Sequence, residues 1–444
     1  MNKKLSESDA KGRGRARPWM RFWQAPAVLL LAAAFQGLLA PAALAQPTVA
    51  IAQTPLLALK TAPGLVMLTM SRDHRLFYAA YNDTSDLDGD GVADVGFKPS
   101  ITYYGNFVSN RCYDYVTTGT NAPLFRPIAL VTADICMDGA TQRWNGNWLN
   151  WAATSRMDAL RRVLYGGYRV VDEAVTAGIP SNASTVLQAA YIPKDSHVWG
   201  KEVRSGIYAI ERYTGMPAPT AGKQHLLVVV KDGSGTDYNR FLTANNAPVL
   251  RYILNADTTF ERIWTWASAD VAQGIGSSTA DFTKGYGTNP VPAGRNAVVA
   301  NAELTLRVEA CAPIGGVREV GCTGYPIGSA TPTTWKPTGV LHDYAANDTL
   351  KFGLLTGSYQ NNYSGGVLRQ NIRSFKDEVD RATGRFGLYN SVANTFTADN
   401  AGIARTIDRI AIHGWEGSIY DCGYNTSGNR LQGQCKSWGA PIAE

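Results

Sequence analysis

The sequence predicts an α/β fold of the mixed α+β kind, decorated with large loop-rich insertions. Three observations predict it. Short apolar runs of strand length alternate with a single strongly amphipathic helical segment. The composition is loop-rich, with 44 glycines and only 18% charged residues, while 45% hydrophobic and 10% aromatic content is ample for a core. Six cysteines fall into three local pairs, each bracketing a Gly-, Asn- or Thr-rich loop.

The elements follow in chain order. Residues 1–45 read as a signal peptide. A basic stretch ends at Arg21, an apolar run covers Ala25 to Phe35, and Ala43-Leu44-Ala45 offers the small residues a signal peptidase requires. A retained anchor is the competing reading, but Pro26, Gln36, Gly37 and Pro41 interrupt the run. Residues 46–63 form an extended leader, and residues 64–444 the folded module. Val66 to Met70 reads as a short buried strand, and Ile101 to Tyr104 as a second. The stretch from Val116 to Thr141 reads as irregular. Trp148 to Ala152 leads into Met157, Leu160, Val163 and Leu164, whose spacing marks a helix. Ser155 and Asp158 are placed to cap its start, and Gly166-Gly167 to end it. His225 to Val230 is a strand, and Leu304 to Val308 alternates as a half-exposed one does. Leu350 to Leu355 and Val367 to Ile372 are two more, joined by the turn Asn361 to Gly366. Ala404 to Ile412 is compatible with a short helix or a strand. Insertions are expected at about 83–141, 170–220 and 270–335.

Charge excludes one function class. The net charge is +6, but seven of 42 basic and two of 36 acidic residues lie in the first 45. The remaining 35 basic and 34 acidic residues nearly balance, so a large basic face for nucleic acid is not expected. The cysteines suggest an oxidising compartment. The economical pairing is Cys112–Cys136, Cys311–Cys322 and Cys422–Cys435, although six cysteines allow 15 connectivities. No Cys-x-x-Cys and no histidine at zinc-ligand spacing supports a metal site instead.

The sharpest chemical signal is Asp86-Leu87-Asp88-Gly89-Asp90-Gly91-Val92-Ala93-Asp94. Carboxylates recur at loop positions 1, 3, 5 and 9, with glycine at 6, as in the first nine places of a calcium loop. Asp86, Asp88, Asp90 and Asp94 would supply side-chain oxygens and Val92 its carbonyl to a structural Ca²⁺. Phe97 stands at position 12 where a bidentate Glu is usual, so Asp83 or a remote residue is needed to complete the shell. The bland alternative is a solvated acidic turn, since Asp-Gly is also turn chemistry. No nucleophile elbow, zinc-protease or phosphate-loop motif is present, and the histidines are scattered, so no enzyme is expected. The aromatics around Trp144 to Trp151 fit a packed helix start better than a sugar-stacking surface.

Several ordered blocks resemble the PilC/PilY family of type IV pilus assembly and tip-associated adhesin proteins, in its N-terminal region. They are Ile101 to Gly105 with Arg111 to Tyr115, Gly146 to Ala152 with Arg156 to Gly167, His197 to Lys201, Phe352 to Tyr359 with Gly365 to Arg369, and Cys435 to Glu444. The resemblance implies a von Willebrand factor A-like core, in which the helix from Arg156 covers a sheet of strands 66–70, 350–355 and 367–372. It implies an exported protein in the periplasm, outer membrane or pilus tip. Its partners would be type IV pilin or minor pilins, the assembly machinery, and host or abiotic surfaces, with no membrane span after signal cleavage. The family's Asp-x-Ser-x-Ser adhesion motif is missing, since Ser71-Arg72-Asp73-His74 follows the first strand. The length leaves no room for the family's C-terminal β-propeller, so an N-terminal module or a truncated product is expected. A secreted calcium-dependent hydrolase, a carbohydrate-binding protein and a nonfunctional remnant are the alternatives.

Overall fold

The computed structural model describes residues 62–71, 74–83, 85–133, 135–136, 143–176, 184–192, 199–231, 247–257, 302–357, 366–390, 393, 395–397, 401–412 and 442–443. Residues 1–61, where a signal peptide and most of a leader are expected, Cys422 and Cys435, and most of the last block of the resemblance lie outside them.

In chain order the strands are β1 (Gly64–Met70), β2 (Arg111–Val116), β3 (Leu124–Leu130), β4 (Trp144–Asn145), β5 (Arg169–Asp172), β6 (Thr185–Gln188), β7 (Trp199–Arg204), β8 (Lys223–Lys231), β9 (Pro248–Asp257), β10 (Ala302–Thr305), β11 (Arg307–Glu309), β12 (Cys322–Tyr325), β13 (Thr334–Pro337), β14 (Leu350–Gly357) and β15 (Gly366–Arg373). The helices are α1 (Gly146–Ala153), α2 (Arg156–Tyr165), α3 (Glu211–Thr214), α4 (Val340–Ala346) and α5 (Ile403–Asp408). Short two-stranded pairs complete the described residues.

Three sheets organise the module. β1, β14 and β15 form one, with β1 parallel and β15 antiparallel to the central β14. The second is four-stranded, ordered β10-β9-β8-β7, and the third six-stranded, ordered β4-β2-β3-β11-β6-β5. The strands at 64–70, 350–357 and 366–373 therefore share one sheet, as the resemblance implied. The helix lying on β14 is α4, however. α2 packs instead against α4, α5 and the 3-10 turn His74–Phe77.

Local chemistry explains most boundaries. Ser155 caps α2: its hydroxyl accepts from the Asp158 backbone N–H, while the Asp158 carboxylate accepts from the Ser155 N–H at 3.0 Å. Gly166 ends the helix at φ 93°, and a Cβ there would meet the Pro337 carbonyl oxygen 2.3 Å away. α1 and α2 are separate because Thr154 and Ser155 are extended. Ile101 to Tyr104 forms no strand; side chains satisfy its backbone, Asn147 Oδ1 accepting from Tyr103 N–H and the Tyr81 hydroxyl from Tyr104 N–H. The segment expected to be irregular contains β3. The run from Leu304 to Val308 is not one strand: the chain breaks at the buried Leu306 and passes from the four-stranded to the six-stranded sheet. The last ambiguous segment uses both options, helix α5 and then a strand at Ala411–Ile412. β1 is less buried than expected, since Leu65 is 67% and Met67 39% exposed.

The core is aromatic. Trp144, Trp148 and Trp151 are all buried, so this run is packing and not a sugar-stacking surface. His225, at the head of β8, is also buried; its Nδ1 accepts from Asn255 N–H, and burial lowers its pKa.

Two disulfides are present as expected: Cys112–Cys136 and Cys311–Cys322, with Cα atoms 5.4 and 5.8 Å apart. Cys422–Cys435 falls outside the described residues. No helix among them is long and apolar enough to cross a membrane.

Candidate metal centre

The acidic loop between residues 86 and 94 is wound by its own carboxylates. Asp86 Oδ1 accepts from the Gly89 N–H at 2.7 Å and the Asp90 N–H at 3.1 Å, and its Oδ2 from the Gly91 N–H at 2.8 Å. Asp90 Oδ1 accepts from the Val92 N–H at 2.8 Å. These are the short-range turns that Asp side chains favour. Gly89 and Gly91 adopt φ of 81° and 86°, open to glycine at little cost, so the chain coils back on itself.

The coil brings Asp86, Asp88 and Asp94 together, with one carboxylate oxygen of each within 4.8 Å of the others. Oxygens sharing one Ca²⁺ at about 2.3–2.6 Å lie no more than about 5 Å apart, so this spacing suits that ion. Asp90 stands outside the triad. Asp83 is not with the triad either. Its Oδ1 takes the Lys201 ammonium at 3.0 Å and the Trp151 indole N–H at 3.2 Å. The buried Lys201 also lies over the Trp151 ring and donates to the Tyr81 carbonyl; its burial lowers its pKa.

Two further residues shape the site: Lys98, which the loop pattern did not single out, and Phe97, which it marked only as a departure. Lys98 pairs with Asp94 and lies 3.8 Å from Asp88, so a tethered ammonium sits against two of the three carboxylates. The Lys98 hydrogen bond, followed by the Leu87 N–H at 2.5 Å, holds Asp94 below the usual carboxylate range. The clue in sequence was the spacing of four from Asp94. Phe97, at position 12, is no ligand. It is 3% exposed and packs edge-on to Tyr213 at 4.9 Å, with Trp151, Tyr208 and Tyr103 around it. It thus bolts the acidic loop to the aromatic core. Burial pushes the Tyr103 hydroxyl up to about 12, and that hydroxyl accepts from the Lys98 N–H.

A second acid–sulfur group, Cys311, Glu319 and Cys322, is not a metal site of this oxidised chain, because its sulfurs are bonded to each other. Glu319 instead faces Arg111 at 2.9 Å.

The sheets, aromatic core and disulfide-pinned loops define the class: a disulfide-stapled α/β module carrying an acidic loop. Comparison with known proteins gives the family. Residues 94–252 match the profile of the PilY1 homolog small alpha/beta domain, and residues 352–444 that of the PilY1 homolog second domain. Over 384 residues the chain is 40% identical to a type IV pilus biogenesis factor PilY1 homolog of Xylella fastidiosa, which covers 85% of this chain and 24% of that protein. A second protein of the same description and organism is 26% identical over 331 residues, 72% of this chain and 22% of that protein. The chain thus spans about a quarter of the length of these curated relatives. No solved structure matches it. The chain belongs to the PilY1-homolog family.

Proposed function

We propose that this chain is an exported, non-enzymatic module of type IV pilus biogenesis, acting as an assembly factor or tip-associated adhesin. The observation that carries the reading is the 40% identity across 85% of the chain to a protein described as a type IV pilus biogenesis factor. Two disulfides support export to an oxidising compartment, whether periplasm, outer membrane or pilus tip. Its partners on this reading are pilin or minor pilins, the assembly machinery, and host or abiotic surfaces. The parallel pairing of β1 with β14, and α4 immediately before β14, support a von Willebrand A-like core. The packed state of His225, buried with both ring nitrogens hydrogen-bonded to backbone, supports a non-catalytic role for that residue. Deleting the gene should reduce surface pili and twitching motility, scored by electron microscopy and subsurface stab assay. Normal piliation and motility in the deletion strain would reject the reading.

The acidic loop is, on this proposal, a structural calcium site held by Asp86, Asp88 and Asp94, with Asp90 and the Val92 carbonyl turning inward when the ion enters. Lys98 is the counter-ion that Ca²⁺ displaces. Calcium saturating the site about 100-fold over its dissociation constant is expected to stabilise the fold by about 2.7 kcal/mol. Calorimetric titration checks binding directly, with Asp88→Asn as the weakened variant. Absence of heat at millimolar Ca²⁺ would leave the loop as an acidic turn closed by Lys98.

A further inference from the structure

The three carboxylates of the acidic loop already hold a cation that belongs to the chain. The Lys98 ammonium is paired with Asp94 and lies 3.8 Å from Asp88 Oδ2, while one oxygen each of Asp86, Asp88 and Asp94 lies within 4.8 Å of the others. An ammonium against two of three converging carboxylates stands in for a bound ion. The Lys98 backbone is fixed: its N–H donates to the Tyr103 hydroxyl at 3.1 Å, and its carbonyl accepts from the Ile101 N–H at 3.1 Å. The preceding Phe97 is buried in the aromatic core. The Lys98 side chain is freer, 33% exposed. The ammonium can therefore leave by rotating on its own four-carbon stem while the loop stays anchored.

Charge decides what can replace it. The Asp94 side chain is wholly buried, so its carboxylate is costly to leave without a cation. In the absence of an ion, Lys98 meets that need and offsets part of the repulsion among the three acids. A free monovalent cation carries the same charge as the ammonium but has no tether, so it competes poorly against a group held at high effective concentration. Ca²⁺ brings twice the charge and takes oxygens from all three carboxylates at once.

Resting on the calcium reading above, we propose that Lys98 is a tethered surrogate cation that keeps the loop coiled without calcium and, because it must be displaced, sets the affinity and charge selectivity of the site. Its two effects oppose each other. The same contact that holds Asp94 and Asp88 in the empty loop is lost when the ion enters, so it weakens calcium binding by its own worth. The site is thereby placed in the weak class of calcium loops found in extracellular modules, with a dissociation constant on the order of 0.1–1 mM. It fills and empties with the calcium outside the cell, and it excludes monovalent ions.

The test titrates the full oxidised chain, Lys98→Met and Lys98→Arg with calcium chloride by calorimetry, in sodium chloride at about 0.15 M. Circular dichroism checks that each variant is folded. Lys98→Met keeps an apolar stem without the ammonium, and it is expected to bind calcium about tenfold tighter or more, the worth of one charge-assisted contact. Lys98→Arg keeps the charge and should bind as the parent does. In EDTA, hydrogen exchange of the Gly89, Asp90 and Gly91 amides, which the Asp86 carboxylate holds, should be faster in Lys98→Met than in the parent, and calcium should restore their protection. Equal affinity in the parent and Lys98→Met, equal tightening in Lys98→Arg, or equal exchange in EDTA would each overturn the surrogate role and leave the calcium site standing. Binding by Lys98→Met with none by the parent would support the surrogate role and correct the calcium reading. No binding by any of the three would overturn both.

Discussion

Replacing Asp172 with alanine is expected to destabilise the module by roughly 3–5 kcal/mol, the cost of removing one partner from a buried ionic cluster. Asp172 faces three cations at once, one of which, Arg405, also lies 3.6 Å from the Asp408 carboxylate. Lys336 Nζ lies 3.0 Å from its Oδ1, Arg169 3.3 Å from the same atom, and Arg405 3.4 Å from its Oδ2. The side chains of Lys336 and Arg169 are wholly buried. Oδ2 also accepts from the Phe386 N–H at 2.8 Å, and Arg169 stacks over the Phe386 ring at 3.9 Å. The cluster ties β5, β13 and α5, and with them residues from both family-matched segments. Burial alone would raise the Asp172 pKa; the attraction of Arg169, Lys336 and Arg405 outweighs it and holds the carboxyl well below its ordinary 3.8. The sign follows. A depressed folded pKa contributes stability that is present above pH 3.8 and is lost as the pH falls further. Urea unfolding from pH 7 down to pH 3 should show a loss on the acid side that Asp172→Ala lacks. Asp172→Asn keeps the shape and an acceptor for Phe386 N–H, so it isolates the charge. If both variants unfold within about 0.5 kcal/mol of the parent, the cluster is not what joins these elements.

Much of this fold was legible because its signals are local. The α2 capping box needs only Ser155 and Asp158 three residues apart, and its end needs only Gly166 in a left-handed conformation. The paired cysteines were legible because short separations make local bridges economical, and two of the three pairs are described and formed. What was not legible depends on neighbours distant in sequence. Ile101 to Tyr104 has strand composition, but Asn147, more than forty residues away, takes the Tyr103 N–H that a partner strand would have used. Leu304 to Val308 alternates like one strand, yet the two sheets it joins divide it at Leu306. The helix over β14 was misassigned because α4, seven residues long, carries a weaker pattern than α2.

The acidic loop shows the same division. The pattern of aspartates and glycines identified the coil, and Asp86, Asp88 and Asp94 do converge. Whether Asp83 joins them depends on competing partners. Lys201 with Trp151 occupies Asp83, a pairing that no local pattern announces. Phe97 departs from the calcium pattern at position 12 because that position is the loop's anchor in the core.

Glu319 should behave as a second buried linchpin, and its energy should depend on a disulfide. The Cys311–Cys322 bridge closes a short loop whose acid, Glu319, turns inward to accept the Cys311 N–H at 2.8 Å and pair with Arg111 at 2.9 Å, with Arg162 at 3.8 Å. Arg111 precedes Cys112, half of the other described bridge, so the two stapled loops meet at this ion pair. Glu319→Ala leaves the Arg111 guanidinium, 3% exposed, without its carboxylate, and a loss of roughly 3–5 kcal/mol is expected. Replacing both cysteines with serine releases a loop closed over 11 residues, for which chain entropy suggests roughly 3 kcal/mol. The two losses should not add. Once the loop is open, Glu319 is no longer held against Arg111, so its removal should cost less. A double-mutant cycle by urea unfolding is expected to give a coupling of roughly 1–3 kcal/mol. Additivity within about 0.5 kcal/mol would mean the bridge only shortens the unfolded chain and does not position the carboxylate. A positive coupling would show the disulfide acting on the folded side, by aiming one charge at a buried partner that no local signal in the sequence connects to it.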